Sequence, residues 1–219
     1  MNTDKNADCG LLDDLGCFEL LERDGIEVPT NARAQLGQFL DLIRDWNAFA
    51  SLVSAGDLDH LVQSHLADAL SLAPLVSTEY DGGGRLLDIG SGAGFPAVPL
   101  KIVLPNLKLT MAERSSKKVG FLRKALGVLG LDDVELIHGD FPTQVSADGV
   151  RAITARAVEK PARVLRNILR LMPEGSVFLC QSGDPGPNLG DRFHVEPVED
   201  AWTKAGLRRG DLHLIRRLA

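Results

Sequence analysis

Three glycines at alternate positions, Gly90, Gly92 and Gly94, directly follow the short apolar run Leu86-Leu87-Asp88-Ile89. The segment reads Gly90-Ser91-Gly92-Ala93-Gly94-Phe95-Pro96 and passes at once into a helix-like stretch. A buried strand, a glycine turn and a helix in that order form the ligand loop of a Rossmann-like sheet. Two details select the ligand. The spacing is G-x-G-x-G, not the dinucleotide G-x-G-x-x-G. The residue two before the first glycine is the carboxylate Asp88, which would repel a pyrophosphate seated on a helix N-terminus. S-adenosylmethionine has no phosphate; it carries an ammonium, a sulfonium, a carboxylate and a ribose. A carboxylate near the turn is compatible with it, and missing side chains let backbone N–H groups come close to it.

Ligands of such a sheet lie outside the carboxyl ends of the strands. Three predicted strand ends supply suitable groups there: the 90–95 loop, Glu113 and Asp140. Glu113 stands 19 positions after Gly94, about the spacing at which a carboxylate reaches ribose hydroxyls. Asp140 is placed to accept from an adenine amino group. Past the fourth strand, Arg156 sits among small and apolar residues and needs a partner. That partner is a cofactor or guanine edge on one reading, and Glu159 or Asp140 on another. His65 and Asp68 fall three apart on one helix face. They form either a local surface pair or part of the substrate entrance.

The elements that must position these groups divide the chain in two. Residues 1–80 read as a helical extension, with 1–10 frayed. One helix is predicted over 11–23 and a longer one from Thr30 or Asn31 to about 49. A third, capped by Asp57, carries His65 and Asp68 and stops at Pro74. Asp81-Gly82-Gly83-Gly84 reads as a joint. Residues 81–219 alternate strand and helix, the sign of a parallel sheet. Strands are expected at 85–89, 108–112, 134–138, 150–154 and 176–181, with two more near 193–196 and 212–216. Helices are expected at 97–104, from Ser115 or Ser116 to Leu129, and at 161–171. The fold class is therefore α/β, a seven-stranded, mostly parallel Rossmann-like methyltransferase sheet with an N-terminal helical extension.

Composition bounds the function. Of 219 residues, 44% are hydrophobic and 25% charged, which is globular usage. The formal charge of −6 means that RNA binding needs a local basic patch. Three such clusters occur: Arg114, Lys117, Lys118, Arg123 and Lys124; then Arg163, Arg166 and Arg170; then Arg208, Arg209, Arg216 and Arg217. Cys9, Cys17 and Cys180 lack metal-ligand spacing, so no metal is expected and reduced thiols in cytoplasm are the default. No signal peptide or membrane-length apolar run is read. The expected protein is a cytoplasmic monomer without membrane or DNA partners.

At these residues the chain resembles the bacterial small-subunit ribosomal RNA guanine-N7 methyltransferases, also called glucose-inhibited division protein B. The match runs through Leu87-Asp88-Ile89-Gly90-Ser91-Gly92-Ala93-Gly94-Phe95-Pro96 and Pro99-Leu100. It continues through Lys118 with Phe121-Leu122, and Thr154-Ala155-Arg156-Ala157-Val158. Upstream, Trp46-Asn47 and His65-Leu66-Ala67-Asp68-Ala69-Leu70 resemble the family's helical preface. The resemblance implies S-adenosylmethionine bound at Gly90, Phe95, the pair Phe141-Pro142, and Arg156, with ribosomal RNA or the small subunit as partner. The family usually has Gly-Arg-Ala-Glu where this chain has Gly139-Asp140-Phe141-Pro142, which passes the adenine contact to Asp140. It usually has Asn-Leu-Thr where this chain has Ser51-Leu52-Val53. Two other readings stand beside it: a methyltransferase for a small molecule or protein, and a cofactor-free module that keeps the fold.

Overall fold

The computed structural model describes residues 4–79, 84–156, 161–181, 185 and 189–218. The expected joint at 81–83, and Glu159, lie outside the described residues. Helices α1 (Asp4–Asp14), α2 (Cys17–Arg23), α3 (Ala32–Ala50), α4 (Ala55–Leu58), α5 (Ala67–Leu70) and α6 (Ala73–Glu79) precede the first strand. Then come β1 (Arg85–Ile89), α7 (Ala97–Val103), β2 (Leu109–Glu113), α8 (Ser116–Leu129), β3 (Val134–His138) and β4 (Val150–Ala155). The chain continues with α9 (Pro161–Leu171), β5 (Val177–Cys180), β6 (Phe193–Pro197), α10 (Ala201–Lys204) and β7 (His213–Arg217). The sheet order is β3-β2-β1-β4-β5-β7-β6. Only the pairings of β7 with β5 and β6 are antiparallel.

The two faces of the sheet sort strictly by pleat. Leu86, Ala152, Val177, Leu179 and Leu214 join a core with the N-terminal helices, α7 and α8. Their neighbours Leu87, Ile153, Phe178, Cys180 and Ile215 join a second core under α9. Period-two alternation with apolar residues on both faces is what a covered parallel sheet requires. The helical extension thus shares one side of the sheet with α7 and α8. Phe39 of α3 is fully buried and meets Phe95 edge to face, ring centres 5.1 Å apart. Such a pair contributes about 0.5–1.5 kcal/mol beyond its area.

The extension differs from expectation in three places. Residues 4–10 are helical in α1, and the predicted 11–23 helix breaks at Leu15-Gly16, where Gly16 takes φ +69°. A left-handed turn there lets α1 and α2 each present an apolar edge to the core. The third predicted helix is also broken. Its cap is Ser54, whose Oγ accepts from the Asp57 N–H, while Oγ donates to Asp57 Oδ2 at 2.7 Å. Val62–Leu66 then forms a π-helical turn before α5. Pro74 does not end a helix but sits in the first turn of α6, where its missing N–H has no partner to lose. The small helix α10, held by Asp200 accepting from the Thr203 N–H, was not expected. Among the described residues, no helix is long and apolar enough to cross a membrane.

Candidate active site

Parallel register brings the ends of β1, β2, β3 and β4 to one edge. A cleft of about 250 Å³ opens above it, lined by Gly90, Ser91, Gly92, Phe95, Glu113, Asp140, Phe141 and Arg156. The extension closes the cleft with Leu52, Val53 and His65, and α8 adds Lys118.

The glycine loop is braced from within. The N–H groups of Gly90 and Ser91 both donate to the Ala112 carbonyl, at 2.8 and 3.1 Å. The Gly92 N–H donates to Glu113 Oε2 at 2.8 Å, and the Gly94 N–H to the Ser91 carbonyl at 2.7 Å. These N–H groups were expected to meet the ligand; the structure bonds them to the protein instead. These four N–H groups are therefore not offered to an anion. Glu113 is buried, and its Oε1 accepts from the Ser115 N–H at 2.7 Å. It thus ties the loop to the start of α8, with lone pairs left over for a further donor.

Three predicted site residues are not on the cleft wall. Asp88 is fully buried beneath the loop. Its Oδ1 accepts from Thr154 Oγ1 at 2.7 Å, as the β1–β4 register dictates, while Oδ2 has no partner. Burial pushes this carboxyl up to about 6. Gly94 faces the core: a Cβ there would stand 2.9 Å from Val98 Cγ2 and 3.2 Å from Phe39. Pro142 follows Phe141 but does not line the cleft. Asp88 and Gly94 support the loop's shape rather than its surface.

The opposite wall is built from Arg156 and the π-helical turn. The Arg156 Nη1 stands 3.1 Å from Asp68 Oδ2. Its Nη2 donates to the Ser64 carbonyl at 3.0 Å and to His65 Nδ1 at 2.8 Å. Asp68 is neither Glu159 nor Asp140, the partners considered above. Nor do His65 and Asp68 form a surface pair, because both are largely buried and both turn to the arginine. Asp68 Oδ1 further accepts from the Arg209 N–H at 2.8 Å and Gln181 Nε2 at 3.1 Å. Burial pushes the Asp68 carboxyl up, against the pull of the Arg156 cation and the Arg209 N–H. An arginine cannot accept, so His65 Nδ1 must carry the lone pair and its proton sits on Nε2, 3.6 Å from Asp57 Oδ2. Burial first, and the Arg156 cation next, push His65 down to about 4. The neutral ring stacks on Phe95, centres 5.3 Å apart at 24°. A π-turn at a cleft wall is a common functional placement.

Sequence reasoning missed Gln181, Arg209 and the Ser64 carbonyl as supports of this wall. No local signal marks them, since each acts across 92 to 141 residues of chain. It also assigned too much to the C-terminal basic cluster. Arg208 is buried on Asp200 and Ser71, and Arg216 pairs with Glu79 and Glu196. Arg217 donates to the Met172 carbonyl. These cations hold the fold together.

With this geometry in view, the profile of the rRNA small subunit methyltransferase G family matches residues 32–186. The chain belongs to that family. Ribosomal RNA small subunit methyltransferase G of Staphylococcus epidermidis is 34% identical over 77% of this chain and 71% of its own. The protein of the same name from Methylococcus capsulatus is 33% identical, over 78% of this chain and 84% of its own. In fold, the chain is similar to an rRNA methylase from Streptococcus thermophilus. There the TM-score is 0.52 at 17% identity, over 69% of this chain and 97% of that one. Family membership makes this chain an S-adenosylmethionine-dependent methyltransferase.

The cleft's donor set fits that cofactor. Carboxylates at Glu113 and Asp140 suit hydroxyl and amino donors, and the rings of Phe95 and Phe141 suit a flat base.

Proposed function

We propose that this chain methylates N7 of a guanine in small-subunit ribosomal RNA. The observation that carries the reading is the family match through the loop, combined with a cleft open at the carboxyl edge above that loop. Glu113 would hold the ribose, Asp140 the adenine amino group, and Phe95 and Phe141 the base plane. The cofactor supplies an electrophilic methyl group on a sulfonium.

Guanine N7 has an in-plane lone pair and no proton to lose, so the protein needs no general base. The wall agrees with that requirement. His65 is neutral, but its Nδ1 lone pair is already engaged by Arg156. Among the described residues lining the cleft, catalysis falls to orientation and water exclusion. Arg156 is held by Asp68 and the Ser64 carbonyl, and His65 is fixed against Phe95. That arrangement gives the target base a rigid polar edge. Should Arg156 also touch guanine, O6 is the favoured atom, because a donor at N7 would occupy the attacking lone pair. The target must be unpaired or extruded to enter the cleft.

With that reading we propose a cytoplasmic protein that acts as a monomer. Buried Cys17 and Cys180, outside any disulfide, support a reducing compartment. The test is transfer of label from radioactive cofactor to purified small subunits and their RNA, with the modified base mapped by mass. Label in N7-methylguanine is expected. Clear cofactor binding without label in small-subunit RNA rejects the assignment.

A further inference from the structure

Among the described residues, Phe49 is the most exposed large apolar side chain, at 60%. A lone exposed ring is unremarkable by itself. This one is held in place. Lys117 Nζ stands 5.0 Å from the ring centre and donates to the Phe49 carbonyl at 3.3 Å. The Trp46 ring meets it nearly perpendicularly, centres 6.0 Å apart. An aromatic ring fixed in solvent, with a cation over it, is arranged to receive something flat.

Its position points to the cleft mouth. Leu52 and Val53, which line the cleft, lie three and four residues further on. Three residues span at most about 11 Å. Lys117 likewise lies between two cleft-lining residues in sequence, Arg114 and Lys118. A chain of net charge −6 therefore carries cations beside an exposed ring at the rim of its active site. One ring is too small for a protein interface, which needs hundreds of square ångströms. It is the right size for one nucleobase, and stacking beside backbone cations is how single-stranded RNA is commonly held.

We infer that Phe49 is a stacking platform for an unpaired base of the substrate RNA next to the target nucleotide, with Lys117 and Lys118 on the flanking phosphates. The inference rests on the RNA methylation reading above. It makes Phe49 a positioning residue that acts on RNA binding and leaves cofactor binding alone.

The test compares Phe49→Ala, Phe49→Leu and Phe49→Trp in the full chain. The readouts are KM for small-subunit RNA, kcat, and affinity for S-adenosylhomocysteine by equilibrium dialysis. Phe49→Ala is expected to raise KM for RNA roughly tenfold, within the range of a lost base stack. It should leave cofactor affinity and kcat within about twofold. Phe49→Trp should restore wild-type KM, and Phe49→Leu should resemble Phe49→Ala. Lys117→Gln should lower the salt dependence of RNA binding by about one unit of slope, whereas Phe49→Ala should not change it. Wild-type KM in Phe49→Ala, or full rescue by leucine, overturns the platform while leaving RNA methylation standing. If the wild-type protein itself does not modify or bind RNA, the underlying reading falls, and the platform with it. Since the ring is mostly exposed, thermal melting should be unchanged. A large drop in melting temperature would give Phe49 a structural role instead.

Discussion

The two walls of the cleft are held by different means. The glycine-loop wall is backbone, bonded to residues adjacent in the sheet: Ala112, Glu113 and its own Ser91. The opposite wall is side chain, an arginine tied to a carboxylate 88 positions earlier and to a π-turn in the extension. The first wall takes its shape from neutral hydrogen bonds, one anchoring carboxylate and missing Cβ atoms. The second depends on buried charge, whose desolvation cost is met only while each partner is present. The loop wall should therefore respond most to side-chain volume, and the Arg156 wall most to loss of a partner.

The largest effect is expected at Asp68. Asp68→Ala strands the Arg156 guanidinium and removes the acceptor for the Arg209 N–H and Gln181. A loss of roughly 3–5 kcal/mol in unfolding free energy is expected, read by denaturant titration. An effect below about 1 kcal/mol would mean that the ion pair does not hold this wall.

The walls should also respond to acid with opposite signs. His65, facing Arg156, Asp57 and Arg209, has its folded pKa pushed down to about 4. Between its ordinary value near 6.5 and about 4, the unfolded chain binds the proton first, so this group lowers stability as pH falls. Asp88 has its folded pKa pushed up to about 6. Between about 6 and 3.9 the folded chain binds the proton first, so this group raises stability as pH falls. Over the overlapping window the two contributions oppose each other and partly offset in the intact protein. Relative to wild type, His65→Gln should gain stability from pH 6.5 to 4. Asp88→Asn should lose its advantage from pH 6 to 4. Unfolding titrations at several pH values check this, and both variants tracking wild type would remove the electrostatic contrast.

The smallest effect separates two glycines of one loop. Gly94→Ala drives a Cβ into Val98 and Phe39 at φ +90°, for roughly 1–3 kcal/mol. Gly92→Ala meets only the Gly90 carbonyl, at 3.6 Å. It should cost about 1 kcal/mol from its φ alone, and show mainly as weaker cofactor binding. Melting temperatures and dialysis of both variants give the comparison; equal destabilisation would contradict the packing role of Gly94.

Legibility followed the same division. The loop, Glu113 and the strand ends could be read from spacing, because one βαβ unit places them within a short stretch of chain. The seven strands were each expected within a residue or two, since the central ones write continuous apolar runs and the edge strands β3 and β6 alternate apolar with polar residues. The extension was read as helical, but its breaks at Gly16 and 62–66 were not, since helical periodicity persists across a short kink. Arg156 was recognised as needing a partner, but Asp68 was not among the candidates considered. Glu159 was near in sequence, whereas Asp68 is near only after folding.

The sequence by itself determined the sheet, the ligand loop and the class of cofactor, because these rest on interactions between residues close along the chain. Only the tertiary structure decided which carboxylate holds Arg156, which face His65 turns, and which arginines are left for a partner. Those outcomes depend on charges made adjacent by burial, and desolvation selects among partners that no local pattern distinguishes.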